Sequence, residues 1–160
     1  MQDLVNEIGI FLIEQLRGEL SRQGHNLTGA LANSIEYEVT QATDSVKLTF
    51  SMNSYGLSLN TGIPAARIPY TRGSGRKSSQ YIDGLRRWVR IKFGYSQQRA
   101  ERVAFAIASK QKQQGYPLTG KTRWIDITLE STQDEINAFT RKWVAANIDD
   151  LINQFAKNRN

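Results

Sequence analysis

"IEYEVTQATDSVKLTFSM", residues 35–52, decides the fold class. Ile35, Tyr37 and Val39 alternate with polar neighbours, and Val46, Leu48 and Phe50 do the same. Successive side chains of a strand point to opposite faces, so period-two alternation marks a strand with one buried face. Ala42-Thr43-Asp44-Ser45 lies between the two halves and supplies a turn, which predicts an antiparallel hairpin. The apolar face of that hairpin needs a cover, and the flanking sequence offers helices.

On the N-terminal side, residues 3–22 repeat Leu4, Ile8, Leu12, Leu16 and Leu20 every four positions, with Val5 and Phe11 widening the stripe. This is an amphipathic helix, and Gly24 suits its end. Thr28 is an N-cap candidate for a short helical turn, Gly29 to Ser34. On the C-terminal side, residues 60–79 hold two of the three prolines, three glycines and four bases, with no apolar period. This reads as a long loop, and loops of that length tend to be functional or disordered.

"YIDGLRRWVRIKFG" then places Ile82, Leu85, Trp88 and Val89 on one helical face and the arginines on the other, with Gly94 closing. Ser96 caps a second helix with Val103, Ala104, Ile107 and Ala108 inward and a polar tail running to Gly115. Residues 123–130 fit either helix or strand. Thr132 and Glu135 form a capping-box pattern that opens a last helix, 132–158, with Ile136, Phe139, Trp143, Leu151 and Phe155 as its stripe. The expectation is one α+β domain over 1–160. Its small antiparallel sheet, the hairpin plus at least one further strand, packs against several helices, the last of them long.

The chain has 160 residues, enough to bury a core without staples, and no cysteine, which removes disulfides, cysteine metal sites and a thiol nucleophile. Its start carries Asp3, Glu7 and Glu14 and no basic leader, so it does not read as a signal peptide. The longest purely apolar run, Ile10 to Ile13, is far short of the ~20 residues of a membrane span. The net charge of +6 is unevenly placed. Residues 67–102 hold ten bases against Asp83 and Glu101, a local balance of +8, while the rest is slightly acidic. Arg67, Arg72, Arg76, Lys77, Arg86, Arg87 and Arg90 are the candidate contact residues. Such a patch serves nucleic acid, an acidic partner or solubility.

"GYPLTGKT", residues 115–122, fits G-x-x-x-x-G-K-[ST] at every fixed position, a match that this composition yields by chance roughly 0.6% of the time. The context argues against a nucleotide site. A working phosphate loop follows a buried strand, and here polar residues Ser109 to Gln114 end a helix. No later apolar run ends in a magnesium-holding carboxylate, and only 38 residues follow Thr122, too few for a parallel sheet. A helix-to-helix turn built on Gly and Pro is the preferred reading. His25 is the only histidine, beside a turn, without metal ligands or a nucleophile elbow nearby. Asp149 and Asp150 are adjacent and diverge on a helix. No catalytic set, cofactor site or metal site is expected. The spacing of Trp88 among the arginines reads as core rather than a base-stacking platform.

The segments in order resemble the tail-completion or head–tail joining (neck) proteins of tailed bacteriophages. "LTGALANSI" (27–35) looks like their Thr-Gly-x-Leu-x-x-Ser-Ile signature, between an N-terminal helix and a hairpin. "SYGLSLNTG" (54–62) is similar to a tyrosine-led strand entering a glycine turn, although Asn60-Thr61 stands where the family more often has an acid. "GLRRWVRIKFG" (84–94) matches a Leu-x-x-Trp helix ending in glycine, "AFAIASKQKQQG" (104–115) an alanine-rich one, and Trp124-Ile125 an apolar-aromatic pair. The resemblance spans about 4–130. It implies a non-enzymatic virion protein, assembled in the host cytoplasm, that forms a homo-oligomeric ring between the portal-side connector and the tail. The basic loop then either lines a DNA channel through phosphate contacts or docks on an acidic neighbouring ring, docking being preferred. The alternative function is a non-specific nucleic-acid-binding module using 67–102.

Overall fold

In the computed structural model, which describes residues 1–43, 45–71, 79–117 and 122–157, helix α1 (Gln2–Arg22) buries Leu4, Leu12, Leu16 and Leu20. Their four-residue spacing keeps them on one face. Gly24 follows at a φ of 77°, which lets the chain leave the helix. A short helix, α2 (Ala30–Asn33), comes next. Its N-cap position is Gly29, at a φ of 71°, and not Thr28. The Thr28 hydroxyl sits one residue early and accepts only a long bond, 3.4 Å, from the Ala30 N–H. The far end of α2 is closed by Arg17, whose guanidinium donates to the carbonyls of Ala32 and Ile35 at 2.9 and 3.3 Å. Ala32 lies in the last turn of α2, where carbonyls run short of intrahelical donors, and Ile35 just beyond the helix.

The hairpin forms as its alternation predicts. Strands β1 (Glu36–Gln41) and β2 (Val46–Ser51) run antiparallel, with Tyr37 opposite Phe50, Val39 opposite Leu48 and Gln41 opposite Val46. All the apolar residues of both strands therefore share one face, and α1 packs there. Across the turn the Ala42 N–H donates to the Ser45 carbonyl at 2.8 Å.

The segment expected to add a strand is instead helix α3 (Tyr55–Thr61), and among the described residues the sheet has two strands. As a strand, Tyr55, Leu57 and Leu59 would share a face. As a helix, the segment sends Leu59 to the core and leaves Tyr55 and Leu57 exposed. Tertiary contacts favour the helix. Gly56 is buried against Met52 and Leu31, and its carbonyl accepts the Trp124 indole N–H at 3.0 Å. The α+β class stands, with helices predominating.

Much of the expected long loop is packed. Ile63 forms an antiparallel bridge with Tyr116, Ala65–Arg67 form a turn of 3-10 helix, and Ile68 is buried. Helices α4 (Gln80–Phe93) and α5 (Gln97–Gln114) follow as a hairpin. Ser79 and Ser96 accept the N–H groups of Ile82 and Arg99 at their N-termini, and Gly94, at a φ of 64°, ends α4. Ile82 and Val89 of α4 and Ala100, Ala104 and Ala108 of α5 are buried. The polar tail of α5 does more than meet solvent. Lys112 donates to the Ile68 carbonyl at 2.9 Å, and buried Gln111 accepts the Tyr81 hydroxyl.

Residues 123–130, open between helix and strand in the sequence, belong to helix α6 (Trp124–Ser131). The last helix is α7 (Gln133–Lys157). Thr132 joins the two without the expected capping box. Its N–H and hydroxyl both donate to the Thr128 carbonyl, at 3.1 and 2.8 Å, so α6 uses the N–H that Glu135 was expected to take. Phe139 meets Phe11 edge-on, with ring centroids 5.4 Å apart, while Val144, Ile148 and Ile152 stay exposed. Of the expected α7 stripe, Leu151 and Phe155 lie outside the described side chains. The main core gathers Leu16, Leu20, Leu31, Ala32, Ile35 and Trp124. Among the described residues no helix is long and apolar enough to cross a membrane.

Asn60 fastens α6 to α3. Its amide oxygen accepts the Ile125 N–H at 2.8 Å, its amide nitrogen donates to Asp126 at 3.0 Å, and its carbonyl accepts the Arg123 N–H at 2.8 Å. The residue thus caps a helix from another element. Asn60→Ala is expected to cost about 1–2 kcal/mol in urea unfolding, the usual loss of a cap acceptor, and Asn60→Asp does not spare that cost, because it keeps the acceptor but sets a second carboxylate against Asp126. An alanine variant as stable as the parent would show the cap to be idle.

Candidate functional site

Helix α4 turns its core stripe, Ile82 and Val89, towards α5. At 100° per residue, Arg86, Arg87 and Arg90 then lie together on one flank and Ile91 opposite the core. The structure brings these residues to one open groove of about 760 Å³, whose wall also includes Asp83 and Tyr95. Three of the seven candidate contact residues therefore meet. Arg67 is exposed on the 3-10 turn and is not part of the groove wall. Arg72, Arg76 and Lys77 lie outside the described residues.

The three arginines differ. Arg86 is paired with Asp83 one turn earlier. Arg87 and Arg90 form no ion pair with a described residue. Like charges three apart on a helix repel modestly, so this flank gains when an anion arrives.

An aromatic edge adjoins it. Phe93 and Tyr95 stack with centroids 5.4 Å apart, and the Arg99 guanidinium lies 3.9 Å from the Tyr95 ring centre. Trp88 meets Phe93 edge-on at 5.7 Å and carries the Lys92 ammonium 4.9 Å above its ring. Trp88 is 37% exposed, which corrects its expected place in the core. The cause lies in α5, whose inward alanines make a narrow contact. Val89 fills it, and the tryptophan, a further 100° round the helix, falls outside.

Ile91, Phe93 and Tyr95 were missed as candidates. Ile91 was the legible one, since an apolar residue opposite a core stripe and among arginines is an exposed anchor. Tyr95 was not legible, because its place depends on the path between the two helices.

"GYPLTGKT" starts at the end of α5, and Trp124 opens α6 just beyond it, as the helix-to-helix reading expected. Gly120 and Lys121 lie outside the described residues. Tyr116 is half-buried, and burial pushes its hydroxyl above the usual tyrosine range. Among the described residues no three of the acidic, histidine or cysteine side chains are grouped to hold a metal. Chemically, the groove can bind an anion or an acidic surface, with the neighbouring rings available for stacking. No protein-family model, no curated protein and no solved structure matches this chain.

Proposed function

We propose that the chain is a structural subunit of a tailed-bacteriophage virion, a neck or tail-completion protein that assembles as a ring between the portal-side connector and the tail. The observation carrying this reading is the ordered series of sequence blocks from 27 to 125. The Thr-Gly-x-Leu-x-x-Ser-Ile block stands between a long helix and a hairpin, with Leu31 and Ile35 in the core and Ser34 accepting the Asn53 N–H at 3.0 Å. The Leu-x-x-Trp helix and the alanine-rich helix follow, each ending in glycine. The segment 55–61 departs from the pattern in being helical. The role is one of assembly, without catalysis. Antibody labelling of purified phage particles in the electron microscope is expected to mark the head–tail junction. Particles that lack the protein would end this reading.

A second reading, a non-specific nucleic-acid-binding module, is favoured by one observation. Arg87 and Arg90 form no ion pair with a described residue and lie near exposed Phe93 and half-buried Tyr95. Phosphate contacts give affinity that falls steeply with salt, while aromatic faces stack bases regardless of sequence. If it holds, Arg87→Gln with Arg90→Gln lowers the steepness of log K against log salt by about 2 on duplex DNA, as read by fluorescence anisotropy. An unchanged slope would remove the groove from any such role.

A further inference from the structure

We infer that the arginine flank of α4 is the docking site for the acidic face of α1 in a second copy of this chain, a head-to-tail contact. It deepens the ring reading by naming the two surfaces that join.

The second surface is as well defined as the first. Asp3, Glu7, Ile10 and Glu14 fall within about 60° of arc on α1, on the side away from its buried leucines. All four are exposed, Ile10 by 55%. The three acids form no ion pair with a described residue, although the chain carries six more bases than acids. Asp3 and Glu7, four apart, repel each other as Arg87 and Arg90 do.

The faces match in layout as well as sign. Each is edged by an exposed isoleucine, Ile10 on α1 and Ile91, 48% exposed, on α4. Glu14 lies four residues from Ile10, and Arg87 lies four residues from Ile91. At 1.5 Å per residue the apolar-to-charge spacing is about 6 Å on both. Set side by side and antiparallel, with Ile10 against Ile91, the two helices cover both isoleucines and bring Glu14 against Arg87. The partner is a like chain because one molecule holds both halves of the match. Two unlike faces on one subunit make a heterologous contact, which propagates and closes into a ring where the rotation allows. Nucleic acid also suits the arginines, but it leaves the acidic face of α1 unexplained.

Sedimentation equilibrium on the purified chain tests this. The parent is expected to exceed its monomer mass of 18.1 kDa at low salt and to approach it as salt rises. Arg87→Glu with Arg90→Glu, and separately Glu7→Arg with Glu14→Arg, are each expected to yield monomers. An equimolar mixture of the two variants restores association, and so does one chain carrying all four changes. That rescue also shows the variants to be folded. A parent that stays monomeric overturns the contact, and so do single-face variants that associate like the parent or a mixture that stays monomeric. If the α4 variant keeps association but loses an oligonucleotide that the parent binds, the groove is a nucleic-acid site and the contact is overturned. The neck reading fails separately, on particles without the protein.

Discussion

Trp124→Ala is expected to remove about 5 kcal/mol of stability, close to the whole of what many domains of this size possess. The indole is fully buried among Leu16, Leu20, Leu31 and Ile35, where four elements meet. A buried tryptophan of this kind takes about 200 Å² out of water, and truncation leaves a void that a close-packed core closes only in part. The Gly56 carbonyl also loses its indole donor. Orphaning a buried acceptor adds about 1–3 kcal/mol. Trp124→Phe separates the two effects, since it keeps most of the volume and loses the bond. It is expected to lose roughly half as much. Trp88→Ala is the control, because an exposed ring costs little to remove. Urea unfolding followed by circular dichroism reads all three. Equal losses at Trp88 and Trp124 would contradict the burial described for both.

Whether a segment could be read from the sequence depended on where its determinants lie. Residues 35–52 carry their own: the alternation fixes the strands and the face they share, and the short connection between Gln41 and Val46 sets the register that puts Tyr37 opposite Phe50. The leucines of α1 and the serines that cap α4 and α5 are equally local. Residues 55–61 are different. Their apolar residues fit a strand as well as a helix, and the decision rests with Trp124 and Asn60 contacts some sixty-five residues apart in the chain. Trp88 fails for a related reason. A helical wheel gives the direction of a side chain but not the width of the partner, and the alanines of α5 set that width. The same holds at the site. The sequence shows the arginines of 86–90 as a basic run, yet their meeting with Tyr95 depends on the turn between two helices. The acids of α1 pass unremarked in a sequence because an exposed charge on an amphipathic helix is the ordinary case. They gain meaning only against Arg87 and Arg90, which form no ion pair with a described residue.

Gly115→Ala is expected to cost about 3 kcal/mol or more, and Gly62→Ala about the same. Both glycines have backbone angles in a region essentially closed to other residues, 82° and −174° at Gly115, 76° and 173° at Gly62. They flank the bridge in which Ile63 and Tyr116 exchange two N–H···O bonds, at 2.7 and 2.8 Å. A Cβ at Gly115 would lie 2.7 Å from the Ile63 carbonyl oxygen, and one at Gly62 would lie 2.7 Å from the Tyr116 carbonyl oxygen. These are backbone atoms, so no side chain can swing aside to relieve the overlap. Gly94 gives the contrast. It has a φ of 64° with open space around it, and alanine there is expected to cost only about 1 kcal/mol. Gly84 lies within α4, also in open space, and alanine there is expected to add roughly 0.5–1 kcal/mol. Thermal unfolding should therefore rank the variants Gly84→Ala, parent, Gly94→Ala, then Gly62→Ala and Gly115→Ala together at the bottom. If Gly115→Ala melted with Gly94→Ala, the bridge would not be holding residues 62–64 to 115–116. The first glycine of "GYPLTGKT" thereby has a structural reason that involves no phosphate. A phosphate loop uses glycine so that the backbone can approach a ligand, and here it lets two stretches of one chain approach each other.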